Sequence, residues 1–123
     1  MKKILVVDDE TFLLDGLTKA LQSAAAEVTA VETGKAALQE VAKTPYHLCF
    51  LDICLPDLDG IEVLKKIKEM APKLKVIMMS AGVVTNAMQE TIEKHADMFL
   101  TKPFDLLQVK MLAKNIIEEE GSN

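Results

Sequence analysis

Short apolar runs alternate with stretches of helical periodicity along the whole chain. Each run is three to five residues long and is mostly apolar, which is typical of strands buried on both faces of a sheet. The predicted strands cover residues 3–7, 28–32, 48–51, 76–79 and 98–100.

Between these runs, apolar residues recur every three or four positions, as on one face of an α-helix. Thr33 and Asp105 stand where the N-caps of the second and last helices are expected, whereas Pro45 and Pro72 end the second and third helices. A fourth helix is predicted over 84–94. The first helix carries its apolar positions at Leu13, Leu14, Leu17, Leu21 and Ala24.

Five strand–helix pairs in 123 residues predict a single α/β domain. In such a (βα)5 arrangement the sheet is mostly parallel and helices cover both of its faces, so we expect a doubly wound fold.

Composition and charge exclude several classes of protein. The net charge is −5 and all 14 basic residues are lysines, so direct binding to nucleic acid is not expected. No apolar stretch is long enough to span a membrane, and the run at 4–7 is too short for a signal peptide. The cysteines, Cys49 and Cys54, fit neither a disulfide framework nor a zinc spacing. We therefore predict a cytoplasmic protein.

Polar side chains follow four of the five predicted strands. Asp8 and Asp9 follow the first, Asp52 the third, Ser80 the fourth and Lys102 the fifth. Each residue alone is typical of a turn or a helix cap. Because the carboxyl ends of parallel strands meet at one edge, where α/β proteins bind ligands, the combination indicates a site.

The residue types predict the chemistry of this site. Clustered carboxylates repel one another unless a cation offsets their charge, and Mg²⁺ prefers oxygen ligands. An aspartate carboxylate is a nucleophile for phosphoryl groups, Lys102 supplies a positive charge, and Ser80 supplies a hydroxyl donor. The pattern favours phosphoryl transfer onto an aspartate.

Four motifs resemble those of the receiver domains of bacterial two-component response regulators. They are Ile4-Leu5-Val6-Val7-Asp8-Asp9-Glu10, the stretch 51–60 (Leu-Asp-Ile-Cys-Leu-Pro-Asp-Leu-Asp-Gly), Met79-Ser80-Ala81 and Phe99-Leu100-Thr101-Lys102-Pro103-Phe104. The resemblance implies a CheY-like, flavodoxin-like strand order, 2-1-3-4-5, for a receiver domain at 1–119, and we expect a disordered tail at 120–123.

The resemblance also implies a role for each matching residue. Asp52 is the implied phosphoacceptor, Lys102 its partner before and after transfer, and Ser80 a donor to the phosphoryl group. Ser80 and Phe99 form the implied switch. The implied Mg²⁺ ligands are Asp9 directly, Asp8 mainly through water, Asp52, and the backbone carbonyl of Cys54.

A receiver of this kind is a signalling domain that catalyses only its own phosphorylation and slow self-dephosphorylation. The implied partners are a sensor histidine kinase and a downstream effector, reached through the surface of the fourth helix, fifth strand and fifth helix. We expect a monomer or a weak, phosphorylation-dependent dimer.

Three alternatives compete with this interpretation. A receiver could dock partners without phosphorylation. A Mg²⁺-dependent aspartyl phosphohydrolase would place its nucleophile in an Asp-x-Asp signature, whereas Asp8 and Asp9 are adjacent. An FMN protein needs a loop after the first strand that accepts phosphate, and acids occupy that loop here.

Overall fold

A computed structural model of the protein describes residues 1–22 and 26–121, and describes side chains as far as residue 118. Ala24, predicted on the inner face of the first helix, lies outside the described residues. No helix in the described ranges is long and apolar enough to cross a membrane.

Five strands form one sheet in which every neighbouring pair is parallel. The strands are β1 (Lys2–Val7), β2 (Ala26–Val31), β3 (Leu48–Asp52), β4 (Lys75–Ser80) and β5 (Met98–Thr101). Their order is β2-β1-β3-β4-β5, which confirms the predicted fold class.

Helices follow each strand. They are α1 (Thr11–Gln22), α2 (Gly34–Lys43), α3 (Gly60–Met70), α4 (Asn86–His95) and α5 (Leu106–Gly121). As predicted, the Thr33 side chain caps α2 and accepts a hydrogen bond from the Ala36 N–H. The tail predicted at 120–123 overlaps the end of α5, and residues 122–123 lie outside the described residues.

Alternate residues of the three central strands face opposite sides of the sheet, which creates two cores. On one side Leu5, Cys49 and Met78 pack with the buried faces of α2, α3 and α4. On the other side Ile4 and Phe50 pack with α1 and α5. Because both faces are covered, the residues of β3 are all buried.

The strand register brings the predicted site residues to one edge of the sheet. Val7 pairs with Leu51, so the residues that follow them, Asp8 and Asp52, end at the same level. Asp52 pairs with Met79 on its other side, and Ser80 pairs with Thr101. The residue after Thr101 is Lys102, whose backbone N–H bonds to the Ser80 carbonyl at 2.8 Å.

Candidate functional site

Asp52 lies at the centre of this edge and is almost fully buried, with 4% of its surface exposed. Its Oδ1 accepts a hydrogen bond from the Cys54 N–H at 3.2 Å, and its Oδ2 accepts one from Lys102 Nζ at 2.9 Å. Burial raises the pKa of the Asp52 carboxyl, the charge of Asp8 raises it further, and the bond from Lys102 opposes both. The result is a pKa above the ordinary aspartate value.

Lys102 is the positive centre of the site and has a buried side chain. Its Nζ lies 2.8 Å from Asp8 Oδ2, 2.8 Å from Glu10 Oε1 and 2.9 Å from Asp52 Oδ2. Burial lowers the pKa of the Lys102 ammonium, but the three carboxylates outweigh it and raise the pKa above the ordinary lysine value. Lys102 therefore stays charged; it donates hydrogen bonds to Glu10 and Asp52 and pairs with Asp8 by charge.

Asp8 has the most buried side chain of the group and is not fully satisfied. Its Oδ1 accepts a hydrogen bond from the Glu10 N–H at 2.9 Å. Its Oδ2 pairs with Lys102 by charge, yet it has no hydrogen-bond partner of suitable geometry among the described residues. A buried carboxylate oxygen without such a partner is costly unless a cation binds it.

Three carboxylates of this edge meet the requirements of a metal ion. Oxygens of Asp8, Glu10 and Asp52 all lie within 4.8 Å of one another. One ammonium cannot neutralise three carboxylates, and the buried Asp8 Oδ2, which pairs with Lys102 by charge but accepts no hydrogen bond among the described residues, suits a further cation. Hard oxygen donors in this number suit Mg²⁺, so the residues present fit the ion that the sequence predicts.

The predicted metal ligands do not all lie together. Asp8 and Asp52 belong to the carboxylate group, whereas Asp9 is exposed and lies outside it. Cys54 is exposed and lies two residues after Asp52. Its backbone forms an isolated antiparallel bridge with that of Asp59. Glu10 joins the group although the sequence did not single it out; its place in the acidic run 8–10 was the available signal.

Gly60 sets how closely α3 approaches the site. A Cβ at position 60 would collide with the backbone carbonyl of Asp52 and would lie 2.6 Å from Ile53 Cα. The Gly60 N–H donates to the Ile53 carbonyl at 2.9 Å. The start of α3 can lie directly against the end of β3 only because this residue has no side chain.

The two predicted switch residues lie on neighbouring strands: Ser80 ends β4, and Phe99 pairs with Met78 from within β5. Ser80 is buried, and its hydroxyl oxygen accepts a hydrogen bond from the Gly82 N–H at 3.1 Å. Phe99, on β5, is half-buried and packs on the core that faces α3 and α4. Ser80 is therefore held by the β4–α4 loop, while the Phe99 ring lies between the core and solvent.

Two grooves of similar size lie at opposite edges of the sheet. One, of about 600 Å³, opens beside Lys102 and Glu10 and is lined by Phe12 and Phe104. Phe12 is 95% exposed although it is apolar. The other, of about 630 Å³, lies by the C-terminal ends of α2 and α3 and contains none of the predicted site residues.

β5 and α5 carry exposed apolar side chains. They are Met98 on β5 and Leu107 and Met111 on α5, of which Leu107 is 61% exposed. This is the region that the sequence predicts as the output surface.

Comparison with known proteins identifies the family. The model of the response regulator receiver domain matches residues 4–114. The response regulator receiver protein CpdR of Brucella abortus is 35% identical over 107 residues, which cover 86% of this chain and 88% of CpdR. The chain spans about half the length of several other curated relatives, which are transcriptional regulatory proteins.

Solved structures agree with this match. A CheY-like receiver domain protein of Methanospirillum hungatei superimposes with a TM-score of 0.90 at 27% identity, covering 100% of this chain and 99% of that one. The response regulator TrrA of Thermotoga maritima, solved in complex with Mg²⁺-BeF, has a TM-score of 0.84 at 31% identity and covers 94% and 99%.

The match distinguishes the sequence-based alternatives. The strand order alone also suits an FMN protein, but the family is one of signalling domains and not of phosphohydrolases or flavoproteins. The chain belongs to the response regulator receiver domains, the phosphoacceptor domains of two-component systems.

Proposed function

We propose that Asp52 accepts a phosphoryl group from the phosphohistidine of a sensor kinase, in the cytoplasm, and that this changes the surface of α4, β5 and α5. The observation that carries the proposal is the environment of Asp52: one oxygen is held by the Cys54 N–H and the other by Lys102. The two free cysteines suit a reducing compartment.

Asp8 and Asp52 would hold Mg²⁺, with the carbonyl of Cys54 and the neighbouring acids Asp9 and Glu10 as the remaining candidates. When bound, the ion supplies positive charge to oxygens of the transferred phosphoryl group. The buried Asp8 Oδ2, which accepts no hydrogen bond among the described residues, supports this assignment, as does the relative TrrA, which was solved with Mg²⁺-BeF.

The transfer itself balances as a displacement at phosphorus. An Asp52 carboxylate oxygen forms a bond to phosphorus, the N–P bond of the phosphohistidine breaks, and the imidazole leaves with the electron pair and takes a proton from water. Lys102 neutralises charge on the phosphoryl oxygens, a role that its raised pKa supports. The donor would approach along the groove lined by Phe12, which opens beside Glu10 and Lys102.

Ser80 and Phe99 would relay the event. The Ser80 hydroxyl would exchange its contact with Gly82 for a phosphoryl oxygen, and the Phe99 ring would turn into the space that this movement opens. A downstream effector would then bind, or a weak dimer would form, at the exposed apolar side chains Met98, Leu107 and Met111.

The test is the intact mass after incubation with a small acyl phosphate, with Mg²⁺ or with EDTA. We expect one phosphoryl adduct on the wild-type protein with Mg²⁺ and none on Asp52→Asn. Asp15→Asn is the matched control, because Asp15 is an exposed aspartate whose ion pair among the described residues is with Lys19, also on α1.

An adduct that persists on Asp52→Asn would refute Asp52 as the acceptor. A wild-type protein that gains no adduct would favour docking without phosphorylation.

A further inference from the structure

Asp57 connects the β3–α3 loop to the N-terminus of α2. Its Oδ1 accepts a hydrogen bond from the Gly34 N–H at 2.8 Å, and its Oδ2 accepts one from the Lys35 N–H at 3.0 Å. The two bonds satisfy backbone donors that the first turn of a helix leaves free. Asp57 thus caps a helix that precedes it by more than twenty residues.

The contact is close and electrostatically favourable. A Cβ on Gly34 would lie 3.0 Å from side-chain atoms of Leu58, so the loop packs directly on the start of α2. The bonds from Lys35 and Gly34 lower the pKa of the Asp57 carboxyl, and the positive end of the helix dipole favours its charge. Asp57 therefore stays ionised at neutral pH.

The other described polar contacts of this loop are with β3, β4 and α3. The Ile53 N–H bonds to the Met79 carbonyl of β4 at 3.0 Å. Gly60 N–H bonds to the Ile53 carbonyl, residue 54 forms a bridge with residue 59, and the Asp59 side chain accepts from the Ile61 N–H. These contacts shape the loop but do not tie it to the other helices. Within the described residues, the hydrogen bonds that connect this loop to α2 are those accepted by the Asp57 carboxylate.

The position of the loop bears on Asp52 through Cys54. The Cys54 N–H donates to Asp52 Oδ1, and this bond selects which carboxylate oxygen faces Lys102. We propose that Asp57 is a positioning residue for the acceptor carboxylate: it holds the β3–α3 loop against α2 and thereby keeps the Cys54 N–H aligned on Asp52. This inference rests on the proposed role of Asp52.

Thr33 provides a matched control at the same helix end. Its side chain caps α2 through the Ala36 N–H at 3.1 Å, and no described bond joins its side chain to the loop. Thr33→Ala and Asp57→Ala each remove one cap of α2, but only Asp57→Ala releases the loop. Asp57→Asn keeps one acceptor oxygen and tests for partial rescue.

The experiment measures amide hydrogen exchange at Cys54 by NMR without metal, together with the rate of adduct formation from acyl phosphate with Mg²⁺. For Asp57→Ala we expect Cys54 exchange to accelerate about tenfold and adduct formation to slow about fivefold. Asp57→Asn should fall between this variant and wild type. Thr33→Ala should change both quantities by less than about twofold.

Equal changes in Thr33→Ala and Asp57→Ala would overturn the proposal, because a weakened α2 would then explain them. Unchanged Cys54 exchange in Asp57→Ala would overturn it as well. If the wild-type protein takes no phosphoryl group, the proposed function fails, whereas the exchange measurement still decides whether Asp57 holds the loop.

Discussion

The two edges of the sheet both carry aspartates paired with lysines, but in opposite proportions. At the edge where the strands begin, one carboxylate, Asp97, lies 3.3 Å from Lys68 Nζ and 3.7 Å from Lys75 Nζ. Asp97 Oδ2 also accepts the Val76 N–H at 2.8 Å. At the edge where the strands end, three carboxylates share the single ammonium of Lys102.

The difference separates a structural cluster from a functional one. Two ammonium groups, those of Lys68 and Lys75, surround the one carboxylate of Asp97, so positive charge is in excess there. The contacts of Asp97 join the start of β4 to the start of β5. The Asp52 edge is short of positive charge, because Asp8, Glu10 and Asp52 all pair with the ammonium of Lys102. The first cluster stabilises the fold by itself, whereas the second requires a ligand for its charge to balance.

The largest effect on stability is expected at the structural edge. Asp97→Ala leaves the N–H of buried Val76 without its side-chain partner, so we expect the free energy of unfolding to fall by about 2 kcal/mol. Urea unfolding measures this change. Mg²⁺-dependent phosphorylation at a temperature where the variant is folded should match wild type.

Asp15→Ala is the control, because it removes only an exposed pair with Lys19, and its effect should stay below about 0.5 kcal/mol. If Asp97→Ala and Asp15→Ala lower the free energy of unfolding equally, the Asp97 cluster contributes no more to stability than an ordinary surface ion pair.

A smaller effect of opposite sign is expected at the functional edge. Asp8→Asn removes a buried negative charge that faces Asp52, while Lys102 keeps two carboxylate partners. In the absence of metal we expect stability to rise by about 1 kcal/mol, since the repulsion between the carboxylates falls. Mg²⁺ should stabilise the wild-type protein and should no longer stabilise the variant. If Asp8→Asn destabilises the metal-free protein, the inference that this edge is short of positive charge is wrong.

The smallest effect is the pH dependence that Asp52 contributes. Because its pKa is higher in the folded than in the unfolded protein, the folded state binds more protons between the two values. Without metal, the stability of wild type relative to Asp52→Asn should therefore fall as pH rises from about 4 through the raised pKa, and then level off. Unfolding with and without Mg²⁺ across this range measures it. If the stability of wild type relative to Asp52→Asn instead rises over this pH range, the pKa of Asp52 is lowered in the folded protein and the prediction is wrong.

Strand and helix periodicity predicted the fold well where burial is complete. β3 and β4 are buried on both faces, and their predicted bounds differ from the observed ones by one residue at most. β2 was predicted two residues late at its start and one late at its end, because this edge strand is partly exposed and carries polar residues inside it.

Motif spacing predicted Asp8, Asp52 and Lys102 as neighbours, because parallel strands end at one edge. It could not predict which acid of the run 8–10 turns inward, since that depends on the first turn before α1. Nor could it predict that Asp57 reaches α2: in the sequence this residue looks like part of a turn, and its partners lie 22 and 23 positions away.

The two cysteines give the protein an inbuilt chemical reporter. Burial removes Cys49 from solvent and raises the pKa of its thiol to about 12, so it reacts slowly with alkylating reagents. Cys54 is exposed, and its own backbone N–H is bonded to the acceptor carboxylate. A thiol-directed label will therefore attach to one position only, beside Asp52. We expect the rate of that labelling to change when a group binds at Asp52, so it reports on the site in unmodified protein and without an added fluorophore.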